Sequence, residues 1–398
     1  MYSLLLAIIY LAFISLGLPD SLVGAGWPTM HQDLGVPVAH AGFVTIIIAG
    51  GTIVSSLASE RLTRRLGTGA VTAVSVAMTA AALFGFSTAH QFWMLCLWAV
   101  PYGLGAGAVD AALNNYVALH YAARHMNWLH CFWGVGASIS PFIMGHALAG
   151  GQGWASAYRT VGLVQAVLTV ALLVSLPLWG RAAASGPGAH VELDHDEVQQ
   201  HPGGHVPLAT ALRIPGVPFV LAAFFAYCAA ESTAILWAST YLVGERGVTP
   251  ATAARFASLF LLGITAGRFL AGFIADRIGD RTLIRGGFTT IGAGFALMAM
   301  PVQTDVLALA GLMVAGLGSA PVYPAIIHST PTNFGARNSQ AIIGIQMAAA
   351  YTGSTLAPPL VGALASSVGL SIMPVALLLI ALLGLVMSER LNRLPHMA

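Results

Sequence analysis

Residues 103–117 read GLGAGAVDAALNNYV and lie inside an apolar run that begins near Phe92. Taken as a helix, the stretch puts Gly103, Gly107, Asp110 and Asn114 at i, i+4, i+7 and i+11, so two glycines, a carboxylate and an amide share one narrow face. A carboxylate held in hydrocarbon costs at least ~2.5 kcal/mol. Asp110 is therefore expected to face a protein interior or a wet cavity, as part of a substrate or proton site. The alternative is an Asp that pairs with Asn114 or a neighbouring helix and only fixes packing.

Outward from this stretch the chain stays apolar. Of 398 residues, 57% are hydrophobic and 8% charged, with a mean hydropathy of +0.80, whereas roughly a quarter of the residues in soluble domains are charged. That is the composition of an integral membrane protein, with the lipid bilayer as its surroundings. The net charge is +2, all 16 basic residues are Arg, and none gathers into a patch beyond short loops, so nucleic acid is excluded as a partner. Cys96, Cys131 and Cys228 sit in apolar segments without a CxxC pair and read as small core residues, with neither disulfide nor metal expected. The opening MYSLLLAIIYLAFISLGL has no basic region before it and no clear cleavage site after it. It reads as a retained first helix.

Segments of about 20 apolar residues, enough to cross ~30 Å of hydrocarbon, fall near 3–30, 38–58, 69–88, 91–118, 127–149 and 156–179, then near 214–243, 250–275, 283–301, 304–328, 337–364 and 369–390. The expected fold is all-α, with twelve transmembrane helices in two six-helix bundles related by a pseudo-two-fold axis. Residues 1–179 form the N-terminal bundle and 212–398 the C-terminal one. Between them 180–211 reads as a mobile, cytoplasmic, His-rich linker. Its His190, His195, His201 and His205 beside Asp194 and Glu197 match no compact metal-ligand spacing and read as a solvated loop.

The two halves echo each other. GASISPFIMG from Gly136 aligns with GSTLAPPLVG from Gly353, Gly103-Leu104-Gly105 aligns with Gly316-Leu317-Gly318, and Asp20 falls opposite Glu231. Near-constant offsets across three helix pairs mark a parallel repeat about an axis along the membrane normal. Arginine sets the orientation. With the N-terminus inside, inner loops hold Arg61, Arg64, Arg65, Arg124, Arg181, Arg213, Arg277, Arg281, Arg285, Arg337, Arg390 and Arg393, and outer ones only Arg159, Arg246 and Arg255. Both termini are expected in the cytoplasm, and a bacterial inner membrane is the expected location.

The loop between the eighth and ninth spans, GFIADRIGDR, fits the pattern GxxxDRxGxR through Gly272, Asp276, Arg277, Gly279 and Arg281; that between the second and third, ASERLTRRLG, is a degenerate copy with Ser56 and Glu60 in the Gly and Asp places. On this motif the chain resembles the major facilitator superfamily over essentially its whole length. The Gly lets helices approach, and the acid near a helix end can pair with an Arg on its neighbour. Glu60, Arg61, Arg65, Gly272, Asp276, Arg277 and Arg281, with Arg268 inside the eighth span, are therefore expected to form a gating latch.

The Asp110/Asn114 stretch, GLPDSL around Asp20, NWLHCFWGVGA from Asn127, YCAAESTAILWASTYL, GLGSAPVYPA and AIIGIQMAAAYTGSTLAPPLVGAL resemble the fucose permease branch, the fucose, galactose and glucose proton symporters. Asp stands at 110 where that branch more often has Glu, and Asn115 where Pro is common. The resemblance implies proton coupling through Asp20 and Asp110. Asp20 follows Pro19, which disrupts the local helix ladder. Glu231, a further proton-coupling candidate, either completes the polar site from the other half or pairs with Arg268.

Amides donate and accept, as a sugar hydroxyl requires, so Asn114, Asn115, Asn127, Gln165 and Gln346 are candidates for substrate binding. Trp237, Tyr241, Trp133 and Phe132 could stack on a sugar ring or pack, and His130 shares the face of Asn127. His146 and His328 read as helix-end or packing residues. No GxxxxGK[ST] is present, so no cofactor is expected and a proton gradient supplies the energy. The expectation is a monomeric, non-enzymatic secondary transporter whose bundles rock around a midplane cavity, taking up a small hydrophilic solute, a monosaccharide, with protons. A proton-coupled exporter of drugs or metabolites is the alternative on the same fold, and a non-transporting sensor or receptor the alternative of another class.

Overall fold

Long apolar segments in lipid satisfy their backbone polar groups by coiling, and helices are what these residues form. The computed structural model describes residues 2–37, 40–185, 206–302 and 305–394, and among them there is no strand. In chain order the helices are α1 (Tyr2–Asp20), α2 (Leu22–Asp33), α3 (Ala41–Leu66), α4 (Thr68–Ser87), α5 (Phe92–His120), α6 (Ala123–Ala149) and α7 (Gly153–Ser185). After them come α8 (Leu208–Arg213), α9 (Val217–Gly244), α10 (Pro250–Ile278), α11 (Asp280–Ala299), α12 (Val306–Ser319), α13 (Val322–His328), α14 (Thr330–Phe334), α15 (Ala336–Val368) and α16 (Ile372–Asn392).

Two spans are interrupted. α1 stops at Asp20 and α2 resumes after Ser21, while α12 and α13 are parted by Ala320 and Pro321. With each interrupted pair counted once and the short α8 and α14 set aside, the described residues hold twelve long helices. Ten are long and apolar enough to cross a membrane; the exceptions, α11 and α15, are long enough at 20 and 33 residues but more polar.

The helices form two compact units, residues 1–116 with 132–211, and residues 117–131 with 212–398. The hairpin made by the end of α5 and the start of α6 thus groups with the C-terminal residues. In the first unit α4 packs along α7, over a core that includes Leu22, Trp27, Met30, Leu83, Phe86 and Tyr158. In the second, α9 packs on α15 and α16, and α11 on α12 and α16. The histidines, Asp194 and Glu197 of the central segment lie outside the described residues.

The internal repeat extends to backbone contacts. A methyl group on Gly136 of α6 would overlap the Ile14 carbonyl of α1, and one on Gly353 of α15 would lie 2.7 Å from the Phe225 carbonyl of α9. Likewise Gly103 of α5 meets the Ile48 carbonyl of α3, and Gly316 of α12 meets the Phe260 carbonyl of α10. Each repeated glycine therefore lets the equivalent pair of helices touch backbone to backbone. The connections repeat as well. Gly67 between α3 and α4 has φ 80° and ψ 156°, and Gly279 between α10 and α11 has φ 81° and ψ 151°, a backbone region open essentially to glycine alone.

Gly136→Ala and Gly353→Ala should each lower stability by about 1–3 kcal/mol, the usual cost of overpacking a tight contact. Gly24→Ala, at a position with open space around it, serves as the control. Thermal unfolding of the purified protein in detergent reads the difference, and a Gly136→Ala protein as stable as the parent would contradict the contact.

Candidate functional site

The break after Pro19 leaves Asp20 as the last residue of α1. Its carboxylate receives two hydrogen bonds. The Tyr102 hydroxyl of α5 donates to Oδ1 at 2.8 Å, and the Trp133 indole N–H of α6 donates to Oδ2 at 3.0 Å. Local packing fixes both donors. Tyr102 is buried and stacked at 6.3 Å on Phe86, and a methyl on Gly17 would overlap the Trp133 carbonyl, so α1 and α6 touch one turn before Asp20. Both donors are neutral and no cation pairs with Asp20 among the described residues.

Asp110 is placed differently. It is 4% exposed, and the Asn114 amide donates to its Oδ1 at 2.8 Å and to its backbone carbonyl at 2.9 Å. The glycines of the same face press on α3, where the Ser56 hydroxyl donates to the Gly107 carbonyl at 3.2 Å. Asn115 is also buried. The Gln165 amide donates to the Ser15 carbonyl and accepts from the Ser15 hydroxyl, tying α7 to α1.

In the second unit Arg268 of α10 is 4% exposed and reaches Glu231 of α9 through Nη2 at 3.5 Å. The same nitrogen donates to the Tyr227 hydroxyl at 3.3 Å, the Tyr227 hydroxyl donates to the Ser319 carbonyl at 3.0 Å, and Nε is buried without a partner. Tyr323, just after the break between α12 and α13, lies 6.0 Å below the guanidinium and gathers Phe224 and His130 edge-on at 4.6 and 4.5 Å. Gln346 accepts from Thr330 at 3.0 Å while its Nε2 is buried without a partner, and Asn127 has its Oδ1 in the same state. Trp237 and Tyr241 bond to backbone carbonyls. The Trp237 indole donates to the Pro358 carbonyl at 2.8 Å across Gly362, and the Tyr241 hydroxyl donates to the Met298 carbonyl at 2.8 Å and accepts from Arg246.

The sequence profile of the Major Facilitator Superfamily matches residues 9–254 and 219–393. The chain belongs to the major facilitator superfamily. Among curated proteins it is similar to bypass of stop codon protein 6 of Saccharomyces cerevisiae, 22% identical over 91% of this chain and 77% of that one. Over a shorter stretch, 38% of this chain and 36% of that one, it is 29% identical to membrane protein MosC of Rhizobium meliloti. Among solved structures it resembles the proton:xylose symporter XylE bound to 6-bromo-6-deoxy-D-glucose, with a TM-score of 0.81, 12% identity and 98% and 95% of the two chains covered. It also resembles FucP in its outward conformation, with a TM-score of 0.74, 15% identity and 98% and 99% covered. The human organic anion transporter MFSD10 follows at 0.72 and 13%, with 96% and 98% covered. At these identities the likeness is one of fold.

The superfamily's loop signature takes a specific form here. Asp276 accepts from the backbone N–H of Arg124 at 3.0 Å and from its guanidinium at 3.3 Å, at the start of α6, where unsatisfied N–H groups favour an anion. Gly272 leaves room for the Trp128 indole, which donates to the Phe269 carbonyl at 3.2 Å and meets Phe273 edge-on at 5.6 Å. Arg61, Arg65, Arg277 and Arg281 are exposed and Glu60 is half-buried. Sequence reasoning missed Tyr102, Arg124, Trp128, Tyr227 and Tyr323. The one available signal was position, since Tyr102 directly precedes the glycine-rich stretch and Tyr323 lies within GLGSAPVYPA.

Asp276→Asn keeps the shape of the Arg124 contact and removes its charge. Tryptic cleavage after Arg124, which requires the first turn of α6 to open, should quicken about tenfold. An unchanged rate would show that the carboxylate does not hold that turn.

Proposed function

We propose that this superfamily member is a proton-coupled symporter that takes up a small hydrophilic solute, a monosaccharide, by alternating access, with the loops rich in arginine and both termini on the cytoplasmic side. The observation that carries this reading is the Asp20 carboxylate: at the break of the first span, and held by two neutral donors with no cation beside it among the described residues. An acid so placed gains and loses a proton without breaking an ion pair. Protonation removes the charge that costs at least ~2.5 kcal/mol in a membrane, and the two donors remain available to a sugar hydroxyl. Interrupted helices are where transporters of this kind gather polar groups. Both interruptions here carry one, Asp20 in the first unit and Tyr323 in the second.

The geometry favours Asp20 over Asp110 as proton carrier. Asp110 and Asn114 bond to each other within α5, whose glycines Gly103 and Gly107 pack on α3, and their proposed part in transport is through that packing. The Glu231–Arg268 pair, with Tyr227 and Tyr323, is the proposed polar contribution of the second unit to solute binding. Substrate and proton are coupled because each has a different affinity for the two facing states. The contact of Asp276 with the start of α6 is the proposed cytoplasmic latch.

Proteoliposomes with an inward proton gradient test this. Asp20→Asn should abolish accumulation of labelled hexose, by about tenfold or more, while leaving hexose counterflow intact. Accumulation that survives the substitution would overturn the proton role, and a protein that exchanges no monosaccharide would overturn the substrate class.

A further inference from the structure

His328 ends α13 between two oxygen acceptors. Its Nδ1 lies 2.6 Å from Asp280 Oδ2 in the first turn of α11, and its Nε2 lies 3.3 Å from the backbone carbonyl of Tyr121 in the hairpin 117–131. A neutral imidazole has one N–H and one lone pair, so it can donate to only one of these oxygens and must turn its lone pair on the other. Only the imidazolium donates to both. Asp280 supports the same assignment, because its Oδ1 is buried without a partner and His328 is its one hydrogen-bond partner among the described residues.

We infer that His328 is a proton-binding site that locks the hairpin 117–131 onto the C-terminal helices, distinct from the acid that couples transport. With the proton bound, one side chain ties Tyr121 to Asp280. With the proton lost, one of the two bonds becomes a contact between a lone pair and an oxygen, and the hairpin is freed at that point. The charged groups acting on it are Asp280 on α11 and Asp276 on α10; Asp276 in turn holds Arg124 of α6, and His125 of α6 lies against the Tyr121 phenol at 5.6 Å. Asp276 and Arg124 hold each other at 3.3 Å, a contact that does not pass through the His328 ring.

The consequence for transport rests on the cytoplasmic placement given under Proposed function. Acid in the cytoplasm keeps the lock shut and a rise in pH releases it, so a transporter that imports protons is slowed by the acid it brings in. The lock itself is tested without any solute. Amide hydrogen exchange of residues 117–131 in the purified protein, corrected for the intrinsic pH dependence, should quicken about tenfold between about pH 5.5 and pH 8. His328→Gln should flatten that dependence and His125→Gln should leave it in place. Asp280→Asn, which keeps the histidine, should flatten it too and guards against a His328 variant that fails to fold. A profile that is flat in the parent, or that persists in both lock variants, overturns the inference. A protein that moves no hexose yet shows this profile overturns only the sugar reading.

Discussion

A carboxylate is tolerated within a bundle of membrane helices when its neighbours supply donors or an opposite charge, and Asp20 is supplied with donors alone. Everything near it serves that arrangement. Pro19 and Ser21 interrupt the first span where the side chain must emerge. Gly17 and Gly136 bring α1 and α6 into backbone contact, which carries the Trp133 indole to one oxygen. The packing of Tyr102 on Phe86 carries a hydroxyl to the other. Neither donor is charged, and the proposed proton-carrying role of Asp20 rests on that.

The second half keeps the scaffold of the first and changes the charge balance. The glycines that seat α6 on α1 and α5 on α3 have counterparts that seat α15 on α9 and α12 on α10. The acid on that scaffold, Glu231, faces a buried arginine in place of an indole and a phenol. Arg268 is only partly satisfied by it, with one long contact to the carboxylate, one to Tyr227 and a bare Nε. One repeat unit thus holds an acid bonded by neutral donors, and the other an acid paired with a cation. That asymmetry is what the proposed coupling of a proton to a polyhydroxylated solute would use.

Hydropathy and repeat spacing made the twelve spans and the glycine contacts legible, because both follow from periodic patterns along the chain. Asp20 was legible for the same reason, as an acid in an apolar run. What surrounds it was not, since nothing in the residues before Gly103 says that the Tyr102 hydroxyl turns toward an acid on another helix. Asp110 shows the opposite difficulty. Its face with Gly103, Gly107 and Asn114 was readable, but the glycines spend that face on α3, so a periodic polar stripe marked helix packing as readily as a site. Gln165, Trp237 and Tyr241 are likewise absorbed by backbone carbonyls on neighbouring helices. The grouping of 117–131 with the C-terminal residues depends on Arg124 and Trp128 finding Asp276 and Gly272 about 150 residues on, a distance that local patterns do not encode. His328 read as a helix-end residue, which it is, and its two acceptors come from elements far from it in sequence.

The central claim is that Asp20 takes up and gives back the transported proton. The most direct measurement is infrared difference spectroscopy of the purified protein, recorded as hexose is added and as pH is stepped. The account predicts a carbonyl band of a protonated carboxylic acid that shifts in heavy water, changes when hexose binds and vanishes in Asp20→Asn. The same band unchanged in that variant, or lost instead in Asp110→Asn, would contradict it.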